Sequence, residues 1–233
     1  MSTLIINRPF VITQAIASKV FGAWRAGSLL GGPVTKWPNI GSGGTAYDLM
    51  LTQNAPNATL TMGSNPSYVS FVGSDYLDTA TQLPVQFTGN KSRTIGTKVY
   101  FENNGSMNFM GYGQNSGGGL FDVMTWYADY LMPHYHGNQI HGPAKVIGEW
   151  TTLEIRITEK PTGQVLIEDF VKGVLVLSVV SSAIQTLPSA LRIGGGIYPP
   201  YNTTDPRRIA WAYAADTALT NEEMIVLRTT LSS

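Results

Sequence analysis

The feature that most limits how this chain can fold is a series of short segments in which apolar and polar residues alternate, each closed by a turn signal. The clearest runs from Trp150 to Ile157. Leu153, Ile155 and Ile157 point one way, and Glu154 and Arg156 the other. Successive side chains of an extended chain project to opposite faces, so this segment predicts a strand with one face on a core and one in water. Thr94 to Phe101 alternates too, with Ile95, Val99 and Phe101 against Lys98 and Tyr100, and stops at the turn signal Asn103-Asn104-Gly105. Tyr68 to Val72 ends at Gly73. Gln164 to Phe170 and Val174 to Val180 flank Val171-Lys172-Gly173, which reads as a hairpin with its glycine in the left-handed region. In Arg208 to Ala214 the pattern predicts Ile209, Trp211 and Tyr213 on one face and Ala210, Ala212 and Ala214 on the other. Residues that small imply close approach of a second layer or a partner.

Helical signals are few. Thr220 with Glu223 three residues on is a capping box, and Leu219, Met224 and Leu227 give an apolar edge. Many short strands with regular turns predict an all-β, antiparallel β-sandwich or jelly roll with one short C-terminal helix. Residues 1–20 read as an N-terminal arm or docking strand, broken by Arg8-Pro9, and residues 21–233 as one sandwich domain. Gly22 to Gly44 reads as loops joining short strands, and Trp24, Trp37, Trp150 and Trp211 as core.

Composition removes several classes of function. Charged residues are 13% of the 233, the formal net charge is zero, and there is no cysteine. No basic stripe supplies the phosphate-neutralising term that nucleic acid demands. The longest apolar stretch, Val174 to Val180, is far short of the roughly 20 residues that span a membrane. Met1 to Val20 lacks the basic start and apolar run of a signal peptide. The 43% hydrophobic content is ample for a core without disulfides.

The order of these pieces resembles the concanavalin A-like lectin/glucanase superfamily, in its laminin G-like branch. The opening element of that family is matched by Ala23-Trp24, Gly32, Val34, Trp37, Asn39, Gly41 and Ser42, with Asn39 where the family has Asp. Val69, Phe71, Gly73, Asp75, Tyr76 and Leu77 resemble the next element. Arg93-Thr94-Ile95 with Val99, then Trp150, Leu153 and Ile155, then Val165, Ile167 and Gly173, then Leu191, Ile193 and Gly194 to Gly196 follow in order. Ile209 and Leu219 to Leu227 close the series. The resemblance covers roughly residues 21 to 230 and implies a fold far more than a function. A calcium ion is typical of part of the family. No dense Asp/Asn cluster marks one here, so calcium stays open.

Chemistry is sparse. Enzymes of this superfamily set two or three carboxylates at alternate positions of one strand, so that they share a face across the bond to be cut. The closest acidic pair here is Glu168-Asp169, and adjacent strand residues face opposite ways. No Cys, nucleophile elbow or phosphate loop is present, so no catalytic residue is assigned and the chain is expected not to be an enzyme. His134 and His136 would share a face of an extended segment, with His141 nearby, but no Cys, Asp or Glu completes a metal set. Aromatic loops are the better clue. Trp126, Tyr127 and Tyr130 precede His134 and His136, and Tyr198 and Tyr201 follow the glycines. These seven are the candidate ligand-binding residues, because flat Tyr and Trp faces suit sugar rings and protein contacts alike.

The expected function is therefore a non-catalytic structural or adhesion module of a phage particle: a capsid decoration, head-fibre or tail-associated protein. Its expected partners are other virion proteins, further copies of itself and host-surface or environmental glycans, without nucleic acid, membrane insertion or a cofactor. The alternative is a stand-alone carbohydrate-binding lectin module, and a glycoside hydrolase ranks below both. The virion reading rests on a recognition-type fold in a cysteine-free chain that reads as unexported, since virion proteins assemble in the cytoplasm and leave by lysis.

Overall fold

The computed structural model describes residues 14–29, 32–51, 59–61, 66–71, 75–100, 102, 107–114, 120–127, 130–135, 138–139, 147–182, 184, 186–195 and 207–233. A short helix α1 (Gln14–Ala17) leads into β1 (Val20–Arg25), β2 (Gly32–Pro33), β3 (Lys36–Trp37), β4 (Leu49–Leu51), β5 (Thr59–Thr61), β6 (Tyr68–Phe71) and β7 (Leu77–Thr79). The long strands follow: β8 (Arg93–Tyr100), β9 (Met107–Gln114), β10 (Leu120–Tyr127) and β11 (Tyr130–Tyr135), then the short β12 (Asn138–Gln139). The chain ends with β13 (Trp150–Glu159), β14 (Val165–Val171), β15 (Val174–Ser181), β16 (Arg192–Ile193), β17 (Arg207–Ala215) and helix α2 (Asn221–Ser232). All strand pairs are antiparallel. They make one sheet in the order β15-β14-β13-β8-β17-β6-β5-β2, with β1 also paired to β17, and a second in the order β12-β11-β10-β9-β16-β7-β4-β3. This is the all-β sandwich with one C-terminal helix that the alternation predicts. No described helix is long and apolar enough to cross a membrane.

The main core lies between the sheets. Trp24, Trp37, Val69, Phe71, Leu77, Phe109, Ile155, Ile167 and Ile193 are among its buried members. Trp24 donates from Nε1 to the Tyr47 carbonyl at 3.2 Å. Asn39, which stands at the family's Asp position, stitches the first loop to β1. Its Oδ1 accepts from the Ala23 and Gly41 amides at 2.8 and 2.9 Å, and its Nδ2 donates to the Phe21 and Gly44 carbonyls. Gly41 lies so close to β1 that a Cβ there would sit 2.6 Å from the Phe21 carbonyl oxygen.

A second core covers the outer face of the first sheet, and here the structure corrects three expectations. First, Glu154 and Arg156 do not face water. Helix α2 packs over them, and Glu154 is buried, accepting from the Tyr213 hydroxyl at 2.7 Å and pairing with Arg228. Arg156 forks onto Glu168 at 2.8 and 2.9 Å and also donates to the Leu219 carbonyl. Alternation shows that a strand has two unlike faces, but it does not show what lies against the polar one. Second, Ile209 does not share a face with Trp211 and Tyr213. A bulge between Ile209 and Trp211 inserts one residue, so Ile209 joins Ala212 and Ala214 in the inter-sheet core while Trp211 and Tyr213 meet α2. Ala212 and Ala214 do allow close approach of a second layer, the other sheet, whereas Ala210 falls on the helix side with Trp211 and Tyr213. Third, the β14–β15 loop is the two residues Lys172-Gly173 rather than three; Gly173 is left-handed as read (φ 78°), and Lys172 is left-handed with it (φ 51°). This is the twist that two-residue hairpins prefer.

The capping box forms as read, with the Thr220 hydroxyl accepting from the Glu223 amide and the Glu223 carboxylate accepting from the Thr220 amide. At the other end, Ile16 and Val20 are buried in the second core and Lys19 bonds Glu223 at 2.5 Å. Residues 14–20 thus pack on the sandwich, and residues 1–13 of the expected arm lie outside the described residues.

Asp169 and Glu168 point to opposite faces of β14. Glu168 meets Arg156 on the helix side. Asp169 pairs in register with Ile155, whose side chain lies in the inter-sheet core, and neither Asp169 carboxylate oxygen has a hydrogen-bond partner. Burial raises its pKa to about 7. The folded protein therefore keeps a proton that the unfolded chain releases near pH 4. Stability should fall as pH rises from about 4 to about 7 and level off above that. Asp169→Asn, which keeps the shape without the charge, is expected to remove this slope and to add about 2–4 kcal/mol at pH 8. Urea midpoints at pH 5 and pH 8 measure both effects. Gly96 gives a second test. A Cβ there would lie 2.3 Å from the ring of fully buried Tyr213, so Gly96→Ala is expected to cost about 1–3 kcal/mol by thermal melting.

Candidate functional site

Helix α2 covers only part of the outer face of the first sheet. Beside it lies an aromatic platform whose members come from four strands. Tyr68 alternates with buried Val69 and Phe71, Tyr100 with buried Val99, and Arg208 with buried Ile209, so all three project outward. Register places Trp150 opposite Tyr100 and Tyr100 opposite Arg208. The Tyr100 and Trp150 ring centroids are 5.5 Å apart, and Tyr68, reaching across β17 and β8, comes within 5.7 Å of Trp150. The Arg208 guanidinium sits 5.2 Å from the centres of both tyrosine rings and pairs with Glu102. Each of the three aromatics is half-buried, unlike Trp24, Trp37 and Trp211, which are fully buried.

Two further cations share this face. Lys98 is two residues before Tyr100 and opposite Trp211, and burial lowers its pKa. Arg25 is opposite Trp211 on the other side. Neither has a carboxylate partner among the described residues. Arg25, Gly27, Pro66, Ser67 and Ala210 line a pocket of about 200 Å³ that the end of α2 closes. Ser67 adjoins Tyr68, and Ala210 lies two residues along β17 from Arg208, so pocket and platform adjoin. Flat aromatic faces ringed by hydrogen-bonding charges suit a polar, ring-shaped ligand.

The residues singled out from sequence lie elsewhere. Trp126 and Tyr127 end β10, and Tyr130 begins β11, paired directly with Tyr127. These three positions therefore lie at one hairpin of the second sheet. His134 lies further along β11, opposite Val123 and Gln139. His136, Tyr198 and Tyr201 lie outside the described residues. No group of three potential metal ligands occurs among the described residues. The platform was missed because Trp150 reads as core and because Tyr68 and Arg208 are far apart in the chain. The available signal was the outward pair Lys98 and Tyr100, an aromatic beside a charge on the non-core face of a strand.

No family model and no curated protein matches the sequence. Solved structures share the fold. A Trypanosoma rangeli sialidase in complex with sialic acid superposes with a TM-score of 0.64 at 13% identity over 91% of this chain and 33% of that one. Botulinum neurotoxin type C, which interacts with two ganglioside molecules, gives 0.65 at 12% identity over 94% and 53%. The binding domain of botulinum neurotoxin serotype D/C gives 0.61 at 11% identity over 93% and 53%. The chain thus spans a third to about half of these neighbours. The likeness is one of fold, a lectin-like β-sandwich consistent with the concanavalin A-like resemblance. It also corrects one expectation. The exclusion of enzymatic activity does not stand, because sialidases are among the proteins that share this fold. Missing carboxylate spacing on one strand could not decide the matter, since sialidases as a class use a tyrosine nucleophile instead of that carboxylate pair.

Proposed function

We propose that this sandwich is a lectin-like module that binds carbohydrate on the outer face of its first sheet. The observation that carries the reading is the half-buried platform of Tyr68, Tyr100 and Trp150 clamped by Arg208. Aromatic faces pack against the C–H faces of sugar rings, while Arg208, Glu102 and Lys98 offer donors and acceptors to hydroxyls. Structural neighbours that hold sialic acid or interact with gangliosides support the class of ligand. Binding should be weak for a single sugar and lost in the double variant Trp150→Ala/Tyr100→Ala. A loss of about fivefold to thirtyfold is expected, as two stacking faces contribute about 1–2 kcal/mol together. A glycan array followed by calorimetric titration tests this. An array without hits, or unchanged affinity in a folded double variant, overturns it.

A second reading sets the module on a phage particle, as a decoration, head-fibre or tail-associated protein. What favours it is a recognition-type sandwich built without a single cysteine, as suits a protein assembled in a reducing cytoplasm. Sedimentation of the chain with intact virions is the expected outcome. A chain that stays in the supernatant with every particle type tried removes this reading and leaves the first untouched.

A further inference from the structure

On the outer face of the first sheet, charges are matched almost everywhere. Arg156 is matched by Glu168, Arg228 by Glu154 and Lys19 by Glu223. The exception is the platform and its pocket. There Arg25, Lys98 and Arg208 face, among the described residues, a single side-chain carboxylate, Glu102. Register sets Arg25 and Lys98 on either side of Trp211 and Arg208 beside Tyr100, so the surplus is concentrated around the rings. A partly buried ammonium without a counter-charge is costly, and burial holds the Lys98 pKa below its usual value. A neutral sugar would leave that cost in place. A ligand carrying its own carboxylate would relieve it and would meet the planar guanidinium of Arg208 in forked geometry.

We infer that the platform selects an anionic sugar, a pyranose bearing a carboxylate, with Lys98 and Arg208 as its cationic partners and Glu102 as a built-in competitor for Arg208. This rests on the reading that the platform binds carbohydrate, and it adds the charge of the ligand and the residue that opposes it. Glu102 already occupies Arg208 in the free protein. A ligand carboxylate must displace it, so Glu102 lowers affinity for acidic sugars relative to neutral ones. The surplus is local, three cations against one side-chain carboxylate among the described residues in a chain of zero net charge, which suits a single charged residue and not a polyanion.

The test compares sialyllactose with lactose, the same core with and without a carboxylate-bearing sugar. Each is titrated calorimetrically into the full chain and into the Lys98→Met and Glu102→Gln variants. Sialyllactose is expected to bind about tenfold more tightly than lactose. Lys98→Met keeps the apolar stem and is expected to weaken sialyllactose far more than lactose, removing most of that preference. Glu102→Gln is expected to strengthen sialyllactose binding about threefold to tenfold. Matched melting curves confirm that the variants are folded. Equal affinity for the two sugars, or a folded Lys98→Met that keeps the full preference, overturns the inference. If lactose binds and depends on Trp150 while sialyllactose gains nothing, the carbohydrate reading survives and only the charge selection fails. If neither these sugars nor a wider glycan panel binds, both fall together.

Discussion

Strand β17 is the member on which both halves of the molecule rest, because both of its faces are buried. It pairs with β8 along its length, with β6 at one end and with β1 at the other. One face, with Ile209, Ala212 and Ala214, closes on the second sheet, and the other, with Trp211 and Tyr213, closes on α2. A single strand can serve two cores with residues of such different size because of the bulge after Ile209. It changes which face each later side chain meets. Were the same sequence paired without a bulge, strict alternation would carry Trp211 and Tyr213 into the narrow gap between the sheets and Ala212 and Ala214 out to the helix.

The second core explains why the helix-side polar residues of β13 and β14 are paired. Glu154 lies between Tyr213 and Arg228, and Arg156 between Glu168 and the start of α2. A buried charge needs both a counter-charge and hydrogen bonds, so removing any one partner costs more than the pair contributes. Asp169, on the opposite face of the same strand, has neither. It is tolerated below about pH 7, where a carboxyl group pushed to about pKa 7 is mostly protonated.

Where the helix stops, the same sheet face is finished differently. Tyr68, Tyr100 and Trp150 lie half-buried around Arg208, and the cations beside them outnumber the carboxylates. Elsewhere on this face the helix supplies the partners. At the platform Glu102 alone does so among the described residues, and the surface keeps the aromatic area and charge that a ligand can use.

Much of the fold was legible in sequence. Period-two alternation located β6, β8, β13 and β17, the hairpin spacing around Gly173 located β14 and β15, and the capping box located α2, because each of these is a local consequence of backbone geometry. The colinear family pattern extended this to the sandwich as a whole. Less of the site was legible. Trp126, Tyr127 and Tyr130 are neighbours in the chain and could be singled out, whereas Tyr68, Tyr100, Trp150 and Arg208 come from four strands spread over 141 positions. Only strand order brings them together. Sequence alone determined that this chain makes an antiparallel sandwich, since alternation is written residue by residue. Tertiary structure decided which polar face a helix would cover, where a bulge would exchange the faces of β17 and which aromatics would meet in the open. Those outcomes depend on pairings between distant strands, which no local pattern encodes.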